Sequence, residues 1–436
     1  MDQTMVSSSG PRQPRMIELE SGWAPEVPAE LPTGAINPEV FSDLALKLAY
    51  MEPTFTTERV VQVLCLPLSI VTEIMEQLSK DQLVEVLGPD GPFNNRYTAS
   101  VRGRERATRL LEISSYVGPA PVLLEEYVSS FEWQFARLPE VCPESVTDSL
   151  SDLVLPEQAV EVIGLALSSS RSLFIHGPPG SGKTSVGRRI HAALEGNLWI
   201  PHCIGIEGHI IRLFDPRFHK RAPVVMSREE PNKVDQRWVC IERPFIAVGG
   251  ELTLEDLDLS YDSGLGYHEA PLHLKANGGT FLLDDCGCQP VEPHRLLNRW
   301  IIPLEYQVDH LTLRTGQKLE VPFRQMLVIS TNLDPDVVMT PALLRRMGYR
   351  TYLGAPTPES YERIFANYAT RCEVEVPDGL VETLIRRYEA EQRPLSSCEP
   401  RDLIERSRHI CSYREQPLEL NEAILDLAWR SYFGVR

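Results

Sequence analysis

The spacing of apolar positions changes along the chain and divides it into segments. Between residues 37 and 80, apolar side chains recur every three or four positions, which predicts three helices. Two short β-prone runs, residues 83–87 and 95–98, flank a Gly-Pro-Asp-Gly turn and predict a two-stranded wing. A further helix follows. This order of elements predicts a winged-helix-like domain over residues 35–114.

Three later apolar runs, residues 172–176, 281–283 and 326–331, each lead into polar residues. Runs of this length between turn signals favour buried strands of a parallel sheet. The carboxyl ends of such strands meet at one edge, where α/β proteins bind their ligands. The sequence therefore predicts an α/β, doubly wound parallel-sheet core over residues 151–355. Four helical stretches predict a C-terminal helical lid over residues 356–436.

The first of these runs is followed by a G-x-x-x-x-G-K-[ST] loop and at once by a helical stretch. Glycines let successive N–H groups turn inward around a polyphosphate, and the helix N-terminus adds partial positive charge. Lys183 supplies a charge for the β- and γ-phosphates, and the Thr184 hydroxyl is a natural Mg²⁺ ligand. The predicted P-loop site consists of Gly177, Pro178, Pro179, Gly180, Ser181, Gly182, Lys183 and Thr184.

Polar residues with complementary chemistry follow the other two runs. Asp284 is predicted to hold Mg²⁺, directly or through water, and Asp285 to polarise an attacking water. Asn332 ends the third run, and its amide can both donate to phosphate and accept from water. ATP and Mg²⁺ are therefore the expected cofactors.

Two further arginine-bearing segments complete an ordered set. Arg345 and Arg346 follow the third run, and Arg401 lies near the start of a late helical stretch. The set as a whole resembles the AAA+ ATPase family, with Walker A, Walker B, sensor 1, arginine finger and sensor 2 in order. A predicted hairpin around residues 315–316 resembles the MoxR and magnesium-chelatase side of that family. The sequences of residues 249–254 and 283–287 are similar to those of poorly characterised bacterial ATPases with an N-terminal winged helix.

This resemblance implies an ATPase that works as a closed ring, with a hexamer expected. It also implies that Arg401 stabilises transition-state charge and that Arg345 or Arg346 reaches the neighbouring subunit's nucleotide. Arg346 is favoured as the finger because, as in the family, it directly precedes an apolar residue. A remodelling or chaperone-like action on a protein substrate is implied by the family alone, and the sequence does not name that substrate.

Two features depart from the family pattern. Walker B normally ends in Asp-Glu, whereas here Asp285 is one methylene shorter, which is expected to hold the water less well and slow hydrolysis. The distance in sequence between the P-loop and Asp284 also exceeds what one strand-helix crossover needs. An insertion is therefore predicted near residues 201–272, with no role assigned to it.

Charge bears on the choice of partner. The 436-residue chain carries a net charge of −18, which disfavours binding to nucleic acid. The third predicted helix offers Glu73 and Glu76 against Lys80, although five arginines lie nearby, at Arg96, Arg102, Arg104, Arg106 and Arg109. Protein docking is favoured over DNA binding. The alternatives left open are a nucleotide-gated DNA-binding regulator and a weakly hydrolysing ATP-binding scaffold.

The remaining composition points to the cytoplasm. No run of some 18 apolar residues predicts a membrane span, and no basic-then-apolar leader is seen. The nine cysteines are spread thinly, and the closest pair, Cys286 and Cys288, has a spacing that suits neither zinc nor a redox motif. Residues 1–34 are predicted to be a disordered tail, and residues 115–150 a linker.

Overall fold

The computed structural model describes residues 14–20, 22–30, 38–226 and 230–434. Its first element is an antiparallel hairpin of β1 (Met16–Leu19) and β2 (Gly22–Pro25). Leu19 and Ala24 are buried in a core whose other buried members come from residue 122 onward. The disordered tail predicted for residues 1–34 is therefore wrong for this hairpin, because partners distant in sequence cover it. Parts of that tail lie outside the described residues.

A module of four helices and three strands follows. Its elements are α1 (Glu39–Met51), β3 (Phe55–Thr56), α2 (Thr57–Leu64), α3 (Leu68–Lys80), β4 (Val84–Pro89), β5 (Asn95–Ala99) and α4 (Val101–Ile113). The strands form an antiparallel sheet in the order β3-β5-β4. The Thr56 and Ser100 side chains accept hydrogen bonds from the first turns of α2 and α4, which fixes where both helices begin. Helices and strands are present at the positions predicted for residues 38–111.

The predicted linker is folded. It contains β6 (Val122–Leu123), α5 (Leu124–Phe135) and α6 (Pro143–Leu150), and α7 (Glu157–Ser168) comes next. Tyr127 and Phe131 in α5 are fully buried. The linker prediction for residues 115–150 is therefore wrong, because this segment supplies part of a hydrophobic core.

The remaining elements before the C-terminal helices alternate between strands and short helices. They are β7 (Leu173–His176), α8 (Lys183–Arg189), β8 (Asn197–Pro201), β9 (Cys203–Ile206), β10 (His209–Arg212), β11 (Trp238–Glu242), β12 (Phe245–Val248), β13 (Ser260–Asp262), β14 (Tyr267–Glu269), α9 (Leu272–Lys275), β15 (Thr280–Leu283), α10 (Pro293–Asn298), α11 (Ile301–Tyr306), β16 (Val308–Thr312), β17 (Lys318–Pro322), β18 (Met326–Thr331), α12 (Pro335–Val338), α13 (Pro341–Leu344) and β19 (Tyr349–Tyr352).

The central sheet has the order β12-β15-β18-β7-β19, and all four neighbouring pairs are parallel. Both faces are covered: Leu173 and Ile175 of β7 pack into one core cluster, whereas Phe174 packs into another. The mixed α/β fold with a parallel sheet is therefore confirmed. Because β7, β15 and β18 run in the same direction, the loops that follow them meet at one edge.

The insertion builds a second sheet beside the first. Strands β13-β14-β10-β9-β6 form it, and β8 pairs separately with β11. The N-terminal module packs on this sheet, because Cys203, Ile210 and Tyr267 belong to the same hydrophobic core as the module. The segment just after α4 adds two contacts: Ser115 N donates to Leu265 O at 2.7 Å, and the Tyr116 hydroxyl donates to Cys203 Sγ at 3.2 Å. The inserted residues therefore connect the N-terminal module to the central sheet.

Four helices close the chain, namely α14 (Pro358–Arg371), α15 (Leu380–Ala390), α16 (Glu399–Tyr413) and α17 (Glu422–Phe433). They share a core centred on Tyr388 and Trp429, whose rings are 4.6 Å apart at 76°. The loop that leads into α16 contacts the P-loop, as described below.

No single helix in the described part of the chain is long and apolar enough to cross a membrane. The pair α2 and α3 meets the criteria of length and composition only when taken together, across a bend of 117°.

Candidate functional site

The loop between β7 and α8 has a backbone that glycine alone adopts easily. Gly177, Gly180 and Gly182 have φ angles of 150°, 76° and 92°. A Cβ atom on Gly177 would lie 2.0 Å from the Leu353 carbonyl oxygen of the segment after β19. The loop therefore requires glycine at these positions, and it lies at the carboxyl edge of the sheet.

Lys183, the first residue of α8, is held inside this loop. Its side chain is almost fully buried, and Nζ donates to Gly177 O at 3.0 Å and to Pro178 O at 2.8 Å. Burial lowers the pKa of Lys183, and the charges of Asp285 and Asp284 oppose that change. Neutral carbonyl oxygens are weaker partners for an ammonium group than phosphate oxygens, so a polyphosphate in the loop would exchange weaker contacts for stronger ones.

Asp284 follows β15 and receives two hydroxyl groups on one oxygen. Thr184 Oγ1 donates to Asp284 Oδ1 at 3.0 Å, and Ser330 Oγ donates to the same atom. Ser330 is fully buried in β18. Ser330 was not among the predicted site residues, although a hydroxyl side chain near the end of an apolar strand, two positions before Asn332, was an available signal.

Asp285 and Asn332 meet at the solvent-facing side of the same edge. Asn332 Nδ2 donates to Asp285 Oδ1 at 3.2 Å, and both residues are exposed. Asp285 has a φ of 48°, in the left-handed region that few residues other than glycine adopt. The structure therefore brings together five of the predicted site residues, namely Lys183, Thr184, Asp284, Asp285 and Asn332.

The C-terminal helices reach the P-loop through one carbonyl group. Cys398 N donates to Gly180 O at 3.0 Å, and Ser396 Oγ donates to the same oxygen at 3.2 Å. Arg401 lies in the first turn of α16, where its guanidinium pairs with Asp402 at 2.9 Å. That hydrogen bond raises the pKa of Arg401. The start of α16 is thus close to the P-loop, whereas the Arg401 side chain contacts Asp402, the next residue in the helix.

The two adjacent arginines after α13 differ in their contacts. Arg346 Nε donates to Glu305 Oε2 of α11 at 2.7 Å and is partly buried. Arg345 is exposed and forms no side-chain hydrogen bond or ion pair with the residues that the structure describes. None of the hydrogen bonds or ion pairs between described residues links Arg345, Arg346 or Arg401 to the group at the sheet edge.

Fold and site together define a mixed α/β protein with a P-loop at the carboxyl edge of a parallel sheet. Residues 357–431, which correspond to the four C-terminal helices, match a family described as "Domain of unknown function (DUF8689)".

The chain also aligns with solved structures at low sequence identity. The Thermotoga maritima RuvB Holliday junction branch migration motor aligns with a TM-score of 0.37 and 14% identity, covering 64% of this chain and 70% of that one. NtrX from Brucella abortus in complex with ATP aligns with a TM-score of 0.39 and 16% identity, covering 74% and 67%.

One curated relative is similar over a short segment. The chain is 43% identical over 49 residues to the EcoKMcrB subunit of a type IV methyl-directed restriction enzyme from Escherichia coli strain K12. That segment spans 11% of this chain and 11% of the relative.

Proposed function

We propose that this chain is an AAA+ protein that binds and hydrolyses ATP with Mg²⁺. The observation that carries the proposal is the meeting of three loops at one sheet edge. There, Lys183 lies within the P-loop, Thr184 bonds to Asp284 at 3.0 Å, and Asn332 bonds to Asp285 at 3.2 Å. A cation, two hydroxyl or carboxylate oxygens and a water-positioning pair are the parts that phosphoryl transfer to water requires.

Thr184 and Asp284 fit a magnesium ion. Their oxygen atoms already approach one another, and hydroxyl and carboxylate oxygens are the ligands that Mg²⁺ prefers. A bound Mg²⁺ would neutralise phosphate charge. Ser330, which donates to the same carboxylate, would hold Asp284 in place, and Lys183 would bind the β- and γ-phosphates.

Asp285 and Asn332 would position and activate the attacking water. Asp285 accepts its proton, and Asn332 orients both the carboxylate and the water. An aspartate reaches less far than a glutamate, so turnover is expected to be slow for this class. The scaffold alternative, in which ATP is bound and barely hydrolysed, is the limiting case of the same effect.

The surrounding modules receive roles from the same resemblance. The N-terminal module is proposed to be a winged helix and the C-terminal helices a lid, in which Arg401 leaves Asp402 to contact nucleotide. A ring, hexameric by resemblance to the MoxR and magnesium-chelatase side, would place an arginine finger in the neighbouring subunit. Arg345 is the better candidate, because Arg346 is already bonded to Glu305.

The proposed substrate is a protein, acted on in the cytoplasm. Glu73 and Glu76 on the exposed face of α3 form no ion pair with any described residue, which disfavours a phosphate backbone there. The exposed arginines of α4, Arg102, Arg104 and Arg109, are the observation that keeps the DNA-binding regulator as a second candidate.

Calorimetric ATP binding and steady-state phosphate release test the proposal. Lys183→Ala should weaken ATP binding by at least ~10-fold, whereas Asp285→Asn should retain binding and lose most of the hydrolysis. Wild-type ATP affinity in Lys183→Ala would remove the P-loop assignment. Binding without measurable hydrolysis in the wild-type chain would favour the scaffold, and a salt-sensitive shift of duplex DNA would favour the regulator.

A further inference from the structure

The loop that follows β15 carries both acidic residues through a sharp bend. Asp285 has a φ of 48° and Gly287 a φ of 110°, and a Cβ on Gly287 would lie 2.6 Å from Leu333 Cδ1. A residue other than glycine stays in the left-handed region when surrounding contacts hold it there. Contacts from neighbouring groups must therefore hold Asp285 in this conformation. Asp285 N donates to Ser330 Oγ at 3.3 Å, and Asp285 O accepts from Cys288 N at 3.1 Å.

The buried amide of Gln289 adds contacts to the peptide groups on both sides of Asp285. Its side chain is buried, with 8% exposure, and Oε1 accepts from Gly287 N at 2.8 Å. Its Nε2 group donates to Gly249 O at 3.0 Å, and two longer contacts reach Asp285 O at 3.3 Å and Asp284 O at 3.4 Å. A single side chain thus bonds to the peptide groups of both acids and to the loop after β12.

The geometry points to Gln289 as a positioning residue for Asp285, an inference that rests on the hydrolytic function proposed above. The amide fixes the peptide groups on both sides of Asp285. This keeps the carboxylate on the solvent-facing side, where Asn332 bonds to it at 3.2 Å. Gln289 touches neither nucleotide nor water in this role. Without it, Gly287 N and the Asp284 carbonyl lose a partner, and the loop is free to relax.

A purely structural role for Gln289 can be separated from this one, because the chain contains a matched residue. Gln134 is equally buried, at 8% exposure. Its Nε2 donates to Ser130 O at 3.2 Å and to Trp199 O at 3.1 Å, and its Oε1 accepts from Trp199 N at 2.8 Å. It joins α5 to β8 and makes no contact with the acidic loop. Removing either amide deletes comparable backbone contacts, but only one set surrounds Asp285.

The test compares Gln289→Ala, Gln289→Glu and Gln134→Ala in the full chain. Gln289→Glu keeps the length and the acceptor for Gly287 N but cannot donate, so it isolates the donor contacts if the alanine variant folds poorly. We expect both Gln289 variants to lower kcat for phosphate release about 10- to 100-fold. ATP affinity by calorimetry should stay within about threefold, since the P-loop is untouched. Gln134→Ala should lower thermal stability and leave kcat near that of the wild type.

Hydrogen exchange of the nucleotide-free protein gives a readout that does not depend on hydrolysis. Backbone amides of residues 284–289 should exchange faster in both Gln289 variants and at the wild-type rate in Gln134→Ala. An unchanged exchange rate in the Gln289 variants, or a kcat loss no larger than that of Gln134→Ala, would overturn the inference. If the wild-type chain releases no phosphate, the hydrolytic function fails, and the exchange measurement still decides whether Gln289 holds the loop.

Discussion

The contact between the P-loop and the C-terminal helices predicts an unusual sensitivity at Gly180. A Cβ atom there would lie 2.2 Å from Ser396 Oγ and 2.8 Å from Cys398 Sγ. Gly180→Ala therefore forces both side chains to turn away, and the Ser396 hydrogen bond to Gly180 O is lost. Left-handed strain of roughly 1–2 kcal/mol adds to about 1 kcal/mol for that hydrogen bond. We expect a loss of about 2–3 kcal/mol of unfolding free energy.

Gly182 provides the matched control. Its φ of 92° also lies in the left-handed region, but a Cβ on Gly182 would meet no atom within 4 Å. Gly182→Ala should therefore show the backbone strain alone, roughly 1–2 kcal/mol. Urea-induced unfolding of the nucleotide-free variants gives both values, and the difference between them measures the contact with the loop before α16.

A double-mutant cycle with Ser396→Ala decides whether this contact exists in solution. In the wild-type background Ser396→Ala removes a hydrogen bond and should cost about 1 kcal/mol. In the Gly180→Ala background that bond is already lost and the clashing atom is removed, so the same change should cost nothing or stabilise the protein. Equal losses for the two glycine variants, together with an equal cost of Ser396→Ala in both backgrounds, would refute the reasoning.

Two further predictions concern assembly and acid stability. Arg345→Ala should lower phosphate release without changing thermal stability, whereas Arg346→Ala should lower stability. Mixing Arg345→Ala with Lys183→Ala protein should restore part of the activity, and no recovery at any ratio would rule out action between subunits. Burial alone would raise the pKa of Asp309, but hydrogen bonding by His273 and a neighbouring guanidinium lowers it to about 2 from an ordinary 3.8. The stability that this carboxylate adds is therefore present above about pH 4 and lost as the pH falls toward about 2, so the urea midpoints of wild type and Asp309→Asn should converge over that range.

The central sheet was predictable because its signals are local. Each of β7, β15 and β18 is a short apolar run next to a turn signal, and the chemistry-bearing residues come directly after it. The hairpin of β1 and β2 and the folded segment at α5 were missed. The partners that cover their apolar residues lie far away in sequence. A composition-based disorder prediction has no access to such partners.

The same distinction, between local signals and partners distant in sequence, applies to the residues of the site. The residues proposed to bind nucleotide follow strand ends and fit a motif, so they could be predicted from the sequence. Residues that support this group act across long separations: Ser330 bonds to Asp284 over 46 positions, and Ser396 bonds to Gly180 over 216. A serine at the end of an apolar strand marks a polar position, but the sequence does not identify its partner. Only the fold identifies it, because the partner is fixed by topology.

The two arginines after α13 show most clearly what the sequence alone could not predict. They are identical in chemistry and adjacent in sequence, and the family pattern favours Arg346 because of the apolar residue that follows it. We propose Arg345 instead, for a physical reason. Arg346 is paired with Glu305 in the same chain, and using it between subunits would break a charge-assisted hydrogen bond of 2.7 Å. Arg345 is exposed, and in the described part of the chain it has no such bond to break. If a finger exists, reaching a neighbouring phosphate therefore costs less from Arg345.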